Sequence, residues 1–450
     1  MKKENWKTKE EKRKLRKKED NGIKDLLRIV RHLFKNLPQW LNEMDDPRNS
    51  AYTTYTQADL VCLGLLKNIC SVESMHSMDD LFNEENCIRT LSVMSGDTKL
   101  EEIPHCDTLN YYLMRLSPDC LSGIRKRMVA ALIRSHKFDD ARMPNGSWRI
   151  IFDGTGVQYF KEKHCEHCLV EVHKDEEGKI HRRYYHKVLE AKLVLGNGLV
   201  ISLGTEFIEN ENEDVLKQDC ELNAAKRLLG RIKSEFPRLP ICLQGDALYE
   251  AETLMAICRE NQWFYLFTHK DDRQPTVGKD YNLLDDDDKI SRKGVGKEGG
   301  TAKYRNQMQK ISGKKEEMNI FEYSFEEDGK TKVFKWCTNI LLTTKNIGEM
   351  VNAGRGRWFI ENQGFNFQKN VLYNIEHLNS RNSQAMKNHY LLTQIADIIM
   401  QLYLRWNPMV KKMGQGIKNT SSRLLESFRG HFITDEDVLE IARRTSVYLT

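Results

Sequence analysis

The chain has 450 residues, 40% hydrophobic and 30% charged, which is length enough for two or three domains with cores of their own. Lys and Arg number 70 against 65 Asp and Glu, and a net charge of +5 neither demands nor excludes nucleic acid. Nine prolines exclude the collagenous and Pro-rich disordered classes.

Residues 1–22 form a basic arm. Residues 1–18 carry ten Lys/Arg against Glu4, Glu10 and Glu11, a charge of +7, so the rest of the chain sums to −2. Two readings stay open: a solvated end, or an arm lying on nucleic-acid phosphates. Residues 23–145 read as a helical domain, expected to bind DNA ends. Ile23, Leu26, Leu27, Val30 and Leu33 recur at helical spacing, followed by Leu60–Ile69 and by Leu113, Leu116, Leu121, Ile124, Met128 and Leu132. Pro144-Asn145-Gly146 marks the end of this region.

The period then changes. Trp148–Phe152, Leu189–Leu195 and Leu199–Thr205 read as strands, the last two joined by the hairpin signal Gly196-Asn197-Gly198. Val215–Phe236 reads as a helix, Ile241–Leu243 as a strand, Ala251–Glu260 as a helix and Trp263–Phe267 as a strand. The order over 146–268 is β, β, β, α, β, α, β, which predicts an α/β mixed sheet with helices on its faces. Residues 269–350 hold a polar stretch, with Asp285–Asp288 read as a solvated loop, and then a hairpin of Ile320–Ser324 and Val333–Leu342. In 351–410 a long helix is predicted from about Arg355 to Tyr373 and another from about Ser383 to Arg405. The apolar run Tyr390–Trp406 carries Gln394, Asp397, Gln401 and Arg405, so no membrane span is expected. The tail, 411–450, is predicted to be helical from Thr434.

Three acids stand out by position. Asp153 ends the first strand in Ile151-Phe152-Asp153-Gly154-Thr155-Gly156, and Asp246 ends the fourth in Leu243-Gln244-Gly245-Asp246. Glu361 lies in Arg357-Trp358-Phe359-Ile360-Glu361-Asn362, where a helix would make Arg357 and Glu361 neighbours on one face. Strand ends flanked by small residues are where a ligand can approach a sheet. Three converging carboxylates are costly to bury unpaired, and hard divalent cations relieve the repulsion. A pair of Mg²⁺ ions about 4 Å apart is a recurrent device for phosphoryl transfer. Singly, an Asp beside Gly at a strand end is a turn former and an Arg-x-x-x-Glu pair is a surface ion pair; the joint placement carries the expectation.

With these motifs in place, the chain resembles the DDE transposases of bacterial insertion sequences, over roughly residues 100 to 380. More narrowly, it resembles their cut-and-paste branch. The most specific segment is Arg357 to Asn362 continuing to Phe365, Asn366 and Lys369, with Thr205-Glu206-Phe207-Ile208-Glu209 in agreement. The resemblance implies a ribonuclease H-like catalytic core with a β-rich insertion, preceded by a helical N-terminal domain. The 115 residues between Asp246 and Glu361 would hold the insertion. Asp153, Asp246 and Glu361 then match the metal-binding triad for two Mg²⁺ ions, with Mn²⁺ able to substitute, and 351–410 would complete the core. Arg357 matches a helix Arg that contacts end phosphates. Where the branch has a Tyr three residues before that Arg, this chain has Gly354; where it has a Lys seven residues after the Glu, this chain has Gln368, with Lys369 next. Trp336 corresponds to an insertion Trp that stacks on a flipped base, a core Trp being the other reading. The implied activity is Mg²⁺-dependent strand cleavage and transfer on double-stranded DNA, element ends and target, by a homodimer on DNA in the bacterial cytoplasm, associated with the nucleoid. The rival readings are a stand-alone metal-dependent nuclease of the same fold and a catalytically silent DNA-binding regulator.

The eleven cysteines follow no secretory signal and are expected to be reduced. Cys165-x-x-Cys168, between the first two predicted strands, has the spacing of a zinc half-site. His164, His167, His173, His181 and His186 are the available imidazoles, and Cys165, Cys168, His173 and His186 form the expected ligand set for one structural Zn²⁺. An exposed cysteine pair in a polar loop is the alternative.

Overall fold

The computed structural model describes residues 22–196, 198–212, 217–273, 275–309, 317–357, 365–366, 368–406 and 417–443. In chain order the helices are α1 (Gly22–Leu33), α2 (Leu37–Asn42), α3 (Gln57–Ile69), α4 (Met75–Phe82), α5 (Glu85–Ser95), α6 (Cys106–Leu113) and α7 (Pro118–Arg134). Strands β1 (Trp148–Phe160), β2 (Leu169–Lys174), β3 (Ile180–Gly196) and β4 (Leu199–Ile208) precede α8 (Glu221–Glu235), β5 (Ile241–Gly245), α9 (Glu252–Glu260) and β6 (Phe264–Thr268). Then come α10 (Pro275–Leu283), β7 (Ile290–Val295), β8 (Gly300–Gln309), β9 (Glu317–Glu327), β10 (Lys330–Thr338), α11 (Ile347–Arg355), a π-helical turn (Gln368–Leu372), α12 (Ser383–Trp406), α13 (Ile417–Gly430) and α14 (Asp435–Ala442). The chain divides into two units, one of residues up to Lys137 together with those from Asn366, the other Phe138–Phe365.

The first unit is all helical. Thr56 starts α3 with a reciprocal capping box to Asp59, Ser117 caps α7 with Pro118 at its first position, and Thr434 and Asp437 form a second capping box at the start of α14. Helix α12 is buried on nearly every side, as a helix at the centre of a bundle must be, and it packs on α3 and α7. It belongs to this unit, whereas the sequence reading has 351–410 completing the core around the sheet. No helix among the described residues is long and apolar enough to cross a membrane.

The second unit is built on one ten-stranded mixed sheet, in the order β2-β3-β1-β5-β6-β10-β9-β8-β7, with β4 also on β3. Strands β1, β5 and β6 are parallel neighbours, while β1–β3 and β3–β4 are antiparallel. Strand β3 is long enough to serve two partners along one edge: Ile180–Tyr185 pairs with β2 and Lys187–Gly196 with β4. Gly196 and Gly198 both have φ near +78°, the left-handed region that the hairpin turn needs; Asn197 lies outside the described residues. Strand β10 pairs with β6, so the segment predicted as a β-rich insertion continues the main sheet as β10-β9-β8-β7.

Three local differences from the sequence reading matter below. The connection after the first strand holds an extra strand, β2, and both β1 and β3 extend well beyond their predicted apolar cores. The helix predicted from Val215 begins at Glu221. A helix at Ile347–Arg355 precedes the segment predicted to be helical from about Arg355.

Candidate functional site

Strands β1 and β5 run in parallel with Trp148 beside Ile241 and Ile151 beside Gln244. The same offset, carried two residues on, sets Asp153 level with Asp246 where β5 gives way to a turn. Neighbouring strands lie about 4.8 Å apart, and side chains two residues apart share a face. Alternation along β1 puts Asp153 on the face of Ile151, and Asp246 follows Gly245 directly in the turn after β5. Each accepts a backbone N–H: Asp153 Oδ1 from Gly154 (3.0 Å) and Asp246 Oδ1 from Leu248 (2.8 Å). Both side chains are partly exposed.

The rest of that face belongs to the same neighbourhood. Glu190 is directly opposite Asp153 on β3 and is fully buried. It accepts hydrogen bonds from Ser202 (2.7 Å) and Thr205, and Lys192 Nζ stands 3.6 Å away. The buried charge is thus paired and hydrogen-bonded, the condition for tolerating it. Gln244 Nε2 donates to the Ala353 carbonyl on α11 (3.4 Å), and Phe365 packs with Ile151, Val194 and Val200.

On the opposite face stands a carboxylate that the sequence reading missed. Glu221, the first residue of α8, accepts a hydrogen bond from the Tyr249 hydroxyl (2.6 Å) and pairs with Lys187. A Cβ on Gly154 would lie 2.5 Å from the Glu221 carboxyl carbon, so the glycine beside Asp153 makes room for this acid. Burial holds the Tyr249 phenol well above its ordinary range, helped by the charge of Glu221 and then of Asp153 and Asp246. Glu221 alone of the three acids has a direct hydrogen bond to this phenol. The signal that could have found Glu221 is an acid in the first turn of a helix; placing the helix start at Val215 hides it.

Glu361 lies outside the described residues, as does Trp358. Arg357, partly buried, is in the turn that follows α11. Lys369, in the π-helical turn of the helical unit, pairs with Glu376 at 2.8 Å. Its neighbour Gln368 is buried and hydrogen-bonded to Gln394 (3.1 Å) and Asp397 (3.0 Å), so the position that departs from the family's Lys holds a core amide. Trp336 is a core residue and not a base-stacking platform: it is 3% exposed and stacks between Phe321 and Phe334. Gly354 lies flat against it, and a Cβ there would meet the indole at 2.6 Å, which explains why a Tyr does not stand at this position. Glu206 accepts from Arg227 and Arg231, both at 2.7 Å, clamping α8 to β4.

Of the expected zinc ligands, three converge. Cys165 Sγ and Cys168 Sγ are 3.7 Å apart, and His186 Nε2 is 3.4 Å from the first and 3.6 Å from the second. His173 is not among them: it is exposed on β2, its ring 3.1 Å from Glu171. The reason is the unpredicted hairpin, which pairs His173 with His181 across β2 and β3 and carries both away from the cysteines. His181 contacts Asp175 at 2.8 Å, His167 Nδ1 the Asn210 carbonyl oxygen at 2.9 Å, and His164 stacks on Phe160. Burial and then the neighbouring Cys168 push the Cys165 thiol up to about 11. A second group, His76, Asp79 and Cys106, also lies close together. There Asp79 accepts the Cys106 backbone N–H (2.8 Å), and His105 caps α6, so its polar atoms serve a helix start.

Compared with descriptions of known protein families, the chain matches none. No curated protein matches it either. Among solved structures it is similar to the piggyBac transposase synaptic complex with hairpin DNA, with a TM-score of 0.43 and 10% identity, over 93% of this chain and 84% of that one.

Proposed function

We propose that the chain is a metal-dependent DNA strand-cleaving and strand-transferring enzyme, a DDE transposase with a ribonuclease H-like core. The observation that supports the reading is the parallel register of β1 and β5, with Ile151 beside Gln244, two residues before Asp153 and Asp246. The chain on both sides of Glu361 is tied to the same pair, by Ala353 on Gln244 and by Phe365 on Ile151. Glu361 stands four residues from Arg357 and four from Phe365.

Asp153 on β1 and Asp246 in the turn after the adjacent β5 offer hard oxygen donors that are partly exposed, a set that fits Mg²⁺ or Mn²⁺. With Glu361 they would hold two such ions, which when bound supply Lewis-acid stabilisation of the charge that develops on a phosphate. The residues themselves hold the scissile phosphate in register with the sheet edge, with Arg357 on its oxygens. Lys369 and the basic arm supply further phosphate contacts. Water attacks the phosphorus at an element end and frees a 3′-hydroxyl, which then attacks a phosphate of target DNA and displaces its 3′-oxygen. Pairing two ends requires two copies of the chain on DNA.

The test is nicking of DNA that carries the element's terminal repeats. Asp153→Asn, Asp246→Asn and Glu361→Gln should each reduce Mg²⁺-dependent nicking on the order of a hundredfold or more while leaving end binding intact. Substantial nicking by Glu361→Gln sinks the assignment of that residue. Cleavage with no joining of the 3′-end to a second DNA would identify a nuclease.

A further inference from the structure

We infer that Cys165, Cys168 and His186 hold one Zn²⁺ ion, which locks the sheet where its hydrogen-bond ladders change partners. The inference is independent of the DNA chemistry.

The distances carry it. With Zn–S about 2.3 Å and Zn–N about 2.05 Å, tetrahedral angles put two sulfurs about 3.8 Å apart and a sulfur and nitrogen about 3.6 Å apart. The observed separations are 3.7 Å between the sulfurs and 3.4 and 3.6 Å from each sulfur to His186 Nε2. Three edges of one tetrahedral face are thus in place before any ion is added. The sulfurs are too far apart for a disulfide, whose bond is about 2.05 Å. The donor set is soft, two sulfurs and an imidazole, which selects zinc over the hard cations suited to the carboxylates. The fourth vertex would be left to solvent.

The location gives the ion a task. On β3, Tyr185 is the last residue paired with β2 and Lys187 the first paired with β4, so His186 stands in the gap between two ladders on one edge. On the other edge it faces Gln158, where β1 slips register after Gly156. Both edges are irregular at the same residue, and backbone pairing alone holds a strand weakly there. The Cys165–Cys168 turn is placed to span this gap. It is joined to the chain after β4 by Asn210, whose side chain donates to the Cys168 carbonyl (2.9 Å) and whose N–H donates to the His167 carbonyl (3.2 Å). One ion would thus bind β3, the end of the β1 extension and the exit of β4. The β2–β3 hairpin beyond it is largely exposed, with Val172 and Ile180 on the surface and little apolar area to anchor it.

The experiment uses the full-length protein, purified under reductant without a His-tag. Elemental analysis should give about one zinc per chain, and Cys165 and Cys168 should resist thiol reagents until a chelator is added. Replacement by Co²⁺ should give the thiolate charge-transfer and tetrahedral d–d bands of a two-sulfur site. Cys165→Ser and His186→Ala should each lose the metal, and His173→Ala should retain it. If the first two variants fail to fold, the wild-type stoichiometry and the cobalt spectrum decide alone. Zinc well below stoichiometric with both thiols freely reactive overturns the inference. So does metal that survives in His186→Ala or disappears in His173→Ala.

Discussion

Gly154 is the residue at which a single methyl group can test the arrangement around Asp153. Its missing Cβ leaves space filled by the Glu221 carboxyl, which Tyr249 and Lys187 hold in place from two sides. In Gly154→Ala the carboxyl must move, and moving it breaks one or both of those interactions. The expected outcome is a loss of roughly 1–2 kcal/mol in stability, the usual cost of leaving a buried polar partner unmatched. A reduced nicking rate with end binding unchanged should accompany it. Tyr249→Phe removes only the phenol hydrogen bond and should cost about 1 kcal/mol in a denaturant titration. If Gly154→Ala unfolds at the same denaturant concentration as the parent, the close approach does not constrain Glu221. At this scale the sequence reveals an acid that follows a short apolar run, although Asp153 stands within β1 and does not end it as expected. Asp153 and Asp246 are legible because each adjoins a glycine after an apolar run. Glu221 is not, because its importance comes from its approach to a residue 67 positions earlier. His186 is legible because it stands just before the predicted second strand, whereas His173 misleads because exposed, polar β2 gives no alternation to read.

Helices α3 and α12 show what the interior of the helical unit costs. Lys67 on α3 is buried, with the Glu73 carbonyl 3.5 Å from its ammonium, and burial pulls it down to about 8. Burial, and then the charge of Lys67, lowers His389 on α12 to about 3. Between pH 8 and about 10.5 the unfolded chain keeps the Lys67 proton that the folded chain has released, so raising the pH through this window adds stability. His389 has the same sign lower down: acidification from about 6.5 towards 3 protonates only the unfolded imidazole, and stability falls. Lys67→Met should therefore raise the unfolding midpoint at neutral pH and flatten its rise between about pH 8 and 10.5. A variant whose midpoint keeps the parent's slope there would show that Lys67 is not the group responsible. Elements with a long apolar pattern are legible: α12 lies within a residue of its predicted limits, with apolar residues recurring from Tyr390 to Trp406 between a few polar ones. Strands β7 and β8 read only as part of a polar stretch because most of β7 is exposed and neither carries an apolar run, their cohesion coming from strand pairing. The sequence leaves both a core and a stacking role open for Trp336 and favours the core, which the packing of Phe321, Phe334 and Gly354 bears out.

At the scale of the whole molecule, the chain leaves the helical unit at Lys137 and returns to it at Asn366, a division that local periodicity cannot reveal. Charge distribution, by contrast, is fully legible. The first 18 residues carry +7 and the remaining 432 sum to −2. A body with that balance gains little from long-range attraction to DNA, so any strong electrostatic component of binding must come from the arm or from local patches such as Arg357. Deleting residues 1–18 should accordingly weaken binding to terminal-repeat and unrelated duplexes by similar factors, since interactions with phosphates carry no sequence information. The slope of log K against log salt should become shallower by about 0.9 for each phosphate that the arm no longer neutralises. Arg357→Ala should behave differently, impairing nicking at the element end more than binding, because it stands four residues from Glu361. Titrations of the parent, the deletion and Arg357→Ala at several salt concentrations separate these roles. A deletion that leaves the slope unchanged would make the arm a solvated end, and one that weakens only terminal-repeat binding would make it a reader of sequence.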